Sequence, residues 1–106
     1  MDKIVVLITT SDEDEAADIG YALVEEGLAA CVNIVDSVRS IYRWKGETSD
    51  DTECLMVVKT IAGNFEALEK RVKSLHSYEV PEIIAIPIVK GSEAYLNWVE
   101  ENTRLG

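Results

Sequence analysis

Apolar and polar positions along this chain follow two periods, and the points where one gives way to the other mark its elements. Residues 4–8 form an unbroken apolar run rich in β-branched side chains, which predicts a buried central strand. Thr9, Thr10 and Ser11 then offer N-cap oxygens, and residues 12–15 place four carboxylates where a helix N-terminus favours negative charge. Ala16, Ile19, Gly20, Leu23 and Val24 share one face at helical spacing, and Gly27 supplies a stop. From Ala30 the period becomes two, with Val32, Ile34, Val38, Tyr42 and Trp44 on one parity, which predicts a long strand bulged near Asp36 and Ser37. The polar stretch 45–51 predicts a turn, and residues 53–61 return as a second arm. Gly63 and Asn64 cap a second helix with Phe65, Leu68, Val72 and Leu75 at its apolar positions, ending at His76. After a loop held extended by Pro81, residues 83–89 form a last strand, and Pro87 assigns it an edge or a bulge. Gly91 and Ser92 open a final helix with Ala94, Tyr95, Trp98 and Val99 facing inward.

Strand, helix, strand, strand, helix, strand is the order of a ferredoxin-like βαββαβ sandwich, an α+β fold with two helices on one face of an antiparallel sheet. The chain is expected to form one such domain over residues 1–106, with a long hairpin between its second and third strands and an added C-terminal helix. Extended, the arm from Ala30 to Lys45 spans about 50 Å, more than a domain with a radius of gyration near 13 Å can cover. The hairpin tip, with Tyr42 and Trp44, therefore overhangs, and an oligomer that covers it is expected.

Composition narrows the chemistry. Twenty acidic against ten basic residues give a formal net charge of -10, which repels a phosphate backbone, so nucleic acid is not an expected partner. The longest apolar run, 83–89, is far short of the roughly 18 residues of a membrane span, and no leader pattern precedes the first strand, so the expected location is the cytoplasm. Cys31 and Cys54 are expected to be free: with the turn near 46–51, Cys54 faces about Arg43 and the two thiols lie roughly 40 Å apart. One histidine cannot supply a Ser-His-Asp set, and no pair of carboxylates stands out by spacing, so no enzymatic activity is expected. A copper chaperone on this fold needs CxxC after the first strand, and an acyl-phosphate hydrolase needs an anion cradle with an arginine there. The loop Thr9-Thr10-Ser11-Asp12 has neither.

Five segments together resemble one known family. Thr9-Thr10-Ser11-Asp12-Glu13, Glu26-Gly27-Leu28-Ala29-Ala30-Cys31-Val32-Asn33, Tyr42-Arg43-Trp44-Lys45-Gly46-Glu47, Lys59-Thr60 and Leu75-His76-Ser77-Tyr78-Glu79-Val80-Pro81-Glu82-Ile83 are similar, in register from about Lys3 to Trp98, to the CutA divalent-cation-tolerance family. The resemblance implies a tight homotrimer with hairpins pairing between subunits, and a link to tolerance of divalent metals, copper especially. Trimers of this shape also resemble the PII signalling proteins in fold and assembly. The copper ligands proposed in the family are a first-strand cysteine and two adjacent histidines at the end of the second helix. The matching positions here are Ile8, Leu75 and His76, which leaves His76 as the metal candidate, for copper or another divalent cation.

Each candidate also has a plainer role. His76 is equally a cap at a helix C-terminus, and Glu79 and Glu82 lie close to it in sequence should it bind a metal. Cys31 is a small packed residue or a wall of a cleft. Lys59 points into that cleft or guards an edge, and Trp44 and Tyr78 pack or form a ligand platform. The pocket, if formed, is expected between subunits, with Cys31, Trp44, Lys59, Tyr78 and Glu82 as its ligand-binding walls. Two readings follow: a trimeric metal-responsive protein, or a PII-like trimeric scaffold that takes a small molecule or partner protein in its inter-subunit cleft.

Overall fold

In the computed structural model, which describes residues 2–104, the apolar run becomes Lys3–Thr10 (β1), with Ile4, Val6, Ile8 and Thr10 buried on one face. Glu13–Glu25 (α1) follows, then Cys31–Trp44 (β2), Glu47–Ile61 (β3), a 3-10 turn at Ala62–Asn64, Phe65–Leu75 (α2), Ile83–Pro87 (β4) and Glu93–Glu101 (α3). The four strands order as β2-β3-β1-β4, all antiparallel, which is the ferredoxin-like arrangement. β1 is central, as its continuous apolar pattern predicts. β4 is an edge strand that ends at Pro87, where a missing N–H does least harm.

One sheet face packs under α1 and α2. Val6, Ile8, Met56 and Val58 from the sheet meet Ala16, Ile19, Leu23, Leu68 and Val72 from the helices. Each fully buried Leu, Ile or Val of this set contributes about 1.5–3 kcal/mol. Gly20 lets α1 come close to β2: a Cβ there would lie 3.3 Å from Val32 Cγ1. α3 lies on the opposite face, where Ile61 and Val99 are fully buried outside the main core and Lys3 Nζ reaches Glu100 at 2.8 Å. The rest of that face is open. Asn33, Val57, Leu7 and Ile84 form one row across all four strands, and Cys31, Lys59, Val5 and Ile86 form the next. Ile84 is 50% exposed there, and Ile86 and Val35 are also exposed.

β1 pairs with β3 only from Cys54 to Ile61, so the outer arms of β2 and β3 project beyond the sheet, and the long axis reaches 44 Å. The overhang is the expected one, but its register differs from expectation. The turn is the pair Lys45 and Gly46, with φ of 50° and 81°, and the polar residues 47–51 are strand. Two residues at left-handed φ match the strand twist, so a tight hairpin replaces the longer loop. Cys54 consequently faces the bulge at Asp36 and Ser37 rather than Arg43, and Cys31 pairs with Lys59. Both thiols are free, at a separation of about 17 Å rather than 40 Å.

Local departures have similar causes. Asp12, not the preceding hydroxyls, caps α1 by accepting the Glu15 N–H at 2.8 Å. Asn64 makes no side-chain cap for α2. It is buried, and its amide donates to the Gly27 carbonyl and the Thr60 hydroxyl. Val24, Leu75, Tyr95 and Trp98 lie on the apolar stripes of their helices yet stay exposed, and Tyr95 stacks on Trp98 at 5.6 Å. No helix among the described residues is long and apolar enough to cross a membrane.

Candidate functional site

The chain leaves α2 at His76, whose N–H closes the last turn on Val72, and then turns extended. The His76 side chain is fully buried, and its ring Nε2 lies 2.7 Å from the Thr9 carbonyl at the end of β1. A carbonyl only accepts, so Nε2 carries the proton, and Nδ1 accepts the Tyr78 N–H at 3.0 Å. Between them, the Ser77 N–H donates to Glu15 Oε2 at 2.7 Å, and Glu15 also accepts the Ser11 N–H at 3.0 Å. The Tyr78 ring packs 4.7 Å from His76, and its hydroxyl donates to Glu53 Oε2 at 2.6 Å. Three consecutive residues are thus pinned to β1, α1 and β3 in turn.

Glu15 sets a pH dependence. Burial pushes its carboxyl up, but hydrogen bonds from Ser11 and Ser77 outweigh burial and hold it below the ordinary value of 4.5. The stability it contributes is complete above that ordinary value and is lost as pH falls through the lowered folded value. Glu15→Gln is therefore expected to flatten the acid limb of a melting-temperature profile as pH falls below the ordinary value of 4.5, and an unchanged limb would contradict this assignment.

The hairpin forms the facing wall. Arg39 grips Asp50 with two bonds, Nε to Oδ1 at 2.9 Å and Nη2 to Oδ2 at 2.6 Å, which raises the guanidinium and lowers the carboxyl. The Tyr42 hydroxyl donates to Asp51 at 2.6 Å, and Lys45 Nζ lies 5.7 Å from the centre of the Trp44 ring. Behind this wall, burial and the Asp36 carboxylate push the Cys54 thiol up, so it stays protonated and is a poor nucleophile. Burial, then Glu53, push the Tyr78 phenol far above its ordinary value, so it serves as a hydrogen-bond donor and not as a base.

Between wall and loop runs a groove of about 770 Å³, the size of a small-molecule site. Of the residues expected at a pocket, Trp44, Tyr78 and Glu82 line it. Cys31 and Lys59 do not: they sit side by side, half-buried on the α3 side of the sheet, where Cys31 faces Tyr95, Lys59 Nζ donates to Asn33 Oδ1 and Cys31 Sγ approaches the same oxygen at 3.9 Å. Six positions of β3 separate Lys59 from Glu53, about 20 Å, so one chain holds two separate clusters. Glu53, Arg39 and Ser77 are groove residues that the sequence reasoning missed. No local signal singles Glu53 out, since it continues the acidic stretch of Asp50 and Asp51.

The positions matching the family's copper ligands do not form a metal site as folded. Ile8 is in the core, Leu75 is apolar and exposed, and both ring nitrogens of His76 are engaged. Among the described residues no three His, Cys, Asp or Glu side chains are grouped to hold a metal ion.

A ferredoxin-like α+β domain with a projecting hairpin and a groove at its base defines the structural class. Residues 4–102 match the family described as CutA1 divalent ion tolerance protein, and the chain belongs to that family. It is 57% identical over 99 residues to the divalent-cation tolerance protein CutA of Thermus thermophilus, covering 93% of this chain and 96% of that one. It is 45% identical over 96 residues to human protein CutA, covering 91% of this chain but only 54% of the human protein. Among solved structures, CutA1 from Oryza sativa aligns at a TM-score of 0.97 with 39% identity, covering 100% of this chain and 97% of that one. The protein from Archaeoglobus fulgidus described as a periplasmic divalent cation tolerance protein aligns at 0.92, with 39% identity, over 94% of this chain and 97% of its own.

Proposed function

We propose that this chain works as a homotrimer in the response to divalent metal ions, binding rather than catalysing, in the cytoplasm. The observation that supports the trimer most directly is the open sheet face of Val35, Ile84 and Ile86, continued by a hairpin that carries Ile41, Tyr42 and Trp44 into solvent. Among the described residues no element is left to cover so much apolar surface, and a closed ring of identical chains would. The two free thiols suit a reducing compartment. In this reading copper or another divalent cation is the ligand and His76 its donor, reached once the Tyr78 N–H gives up Nδ1.

Copper(II) calorimetry on the wild type and on His76→Ala, at a temperature where both are folded and with oligomer mass measured alongside, tests the reading. It requires about one ion per subunit or per trimer in the wild type and loss of that binding in the variant. Identical titrations would assign copper to the generic acidic surface and remove His76 as a ligand.

A second reading has its own support. The engaged His76 ring and the groove lined by Trp44, Tyr78 and Glu82 favour a PII-like trimeric scaffold, in which the cleft takes a small molecule or a partner protein and metal acts indirectly. In this reading the Cys31 and Lys59 of one copy, held within their own chain by Tyr95 and Asn33, turn to complete the groove of the next. Ligand-induced melting shifts separate the readings: copper acting through His76 supports the first, and a metal-free metabolite supports the second.

A further inference from the structure

Two charges of opposite sign are left without a counter-charge inside one chain. Glu53, 8% exposed, accepts the Tyr78 hydroxyl at 2.6 Å, and no lysine, arginine or histidine pairs with it among the described residues. Lys59 is half-buried, yet its ammonium donates to the neutral Asn33 amide oxygen. The other half-buried lysine, Lys3, pairs with Glu100, and the half-buried Arg71 pairs with Glu26. A carboxylate removed from water is ordinarily matched by a cation, and an ammonium gains more from a carboxylate than from an amide.

The two cannot meet within one chain. Both lie on β3, whose side chains alternate with a period of two, so they share the face opposite Cys54, Met56 and Val58. Six positions set them about 20 Å apart along that face. Lys59 stands level with Val5 and Ile86, well inside the sheet, whereas Glu53 stands just past the end of the β1 pairing, under the loop that Tyr78 anchors. A ring built from one repeated head-to-tail contact sets unlike patches of two copies against each other. Such a contact lets the inner end of one β3 meet the outer end of the next, and it pairs every Glu53 and every Lys59 of a closed ring at once. Other bases are placed or committed elsewhere. Arg39, on the groove wall, grips Asp50 through both arms of its guanidinium, Lys45 stands by Trp44, and Lys73 pairs with Glu69.

We propose that Lys59 of one copy is the counter-charge of Glu53 of the next, the two meeting across the inter-subunit groove beside Tyr78. This rests on the scaffold reading above and names the contact that joins its copies. Tyr78 occupies Oε2 of Glu53, which leaves Oε1 for the ammonium, and Lys59 exchanges an amide for a carboxylate on assembly. The groove is then complete only in the assembly, with a charge from one copy neutralised by the other.

The test measures, by fluorescence-detected sedimentation from picomolar to micromolar chain, the concentration at which half the protein leaves the trimer, with circular dichroism checking the fold. Glu53→Lys and Lys59→Glu each set like charges against one another between copies, and each should raise that concentration by at least about a hundredfold. Both reversals in one chain restore an opposite pair between copies, and this double variant should return to within about tenfold of wild type. If Glu53→Lys does not fold, a cycle of Glu53→Gln, Lys59→Met and their double decides the matter. Each single should raise the concentration about tenfold or more, and the double should go no further than the larger single. A trimer indifferent to Lys59→Glu, charge reversals that add instead of cancelling, or neutral substitutions whose effects multiply would each overturn the ion pair and leave the trimer standing. A wild type that sediments as a single chain throughout would remove the scaffold reading itself, and this contact with it.

Discussion

Ile84→Asp is expected to move the protein from a mass near three chains of 11.7 kDa to that of a single chain in sedimentation at micromolar concentration. Ile84 lies in an apolar row with Leu7 and Val57 and is 50% exposed in one chain, so the aspartate has water to face in the monomer and the fold should survive. In the proposed trimer that face closes against its copies, and an unpaired carboxylate would be buried there. The penalty is several kcal/mol for each buried charge, felt three times in a ring, against about 1.4 kcal/mol for every tenfold in association. Circular dichroism of the variant should stay close to wild type, because the helix-facing core of Val6, Ile8, Met56 and Val58 is untouched. A variant that remains trimeric would show that the open face is not the interface and that the overhanging hairpin alone holds any assembly.

The elements and their order were legible in the sequence because each rests on a local signal. The β-branched run at residues 4–8 could only be a buried strand, the carboxylates at 12–15 could only begin a helix, and Pro87 marked an edge. Hairpin register was harder, since it depends on which two residues adopt left-handed φ. Lys45 and Gly46 do so, whereas composition pointed to the whole polar stretch as turn. That one error displaced Cys54 from its place opposite the Asp36 bulge. The site was legible in part: Trp44, Tyr78 and Glu82 share the groove, while Cys31 and Lys59 sit half-buried further along the sheet beside Asn33 and Tyr95, and resemblance alone does not distinguish two clusters on one strand pair. Glu53 escaped notice because its significance lies in burial without a counter-charge, a property of packing that no local pattern carries.

The second large effect concerns His76. As a cap exposed at a helix C-terminus, its removal would cost about 0.3–1 kcal/mol through the dipole alone. The structure implies more. The ring is fully buried and is the shared partner of the Thr9 carbonyl, one residue before the end of β1, and of the Tyr78 N–H, which positions the loop over Glu53. His76→Ala strands both backbone groups and opens a cavity beside the Tyr78 ring. Each buried unsatisfied group costs about 1–3 kcal/mol, less where water enters, so the expected loss in urea unfolding at fixed protein concentration is about 2–4 kcal/mol. Tyr78→Phe, which removes a single hydrogen bond to Glu53, should lose less, about 1–2 kcal/mol. A loss below about 1 kcal/mol for His76→Ala would mean that the ring is a surface cap after all, leaving its nitrogens available to a metal. The larger loss would make His76 the pin that sets the groove's outer wall, and would explain a lone histidine here without any ion.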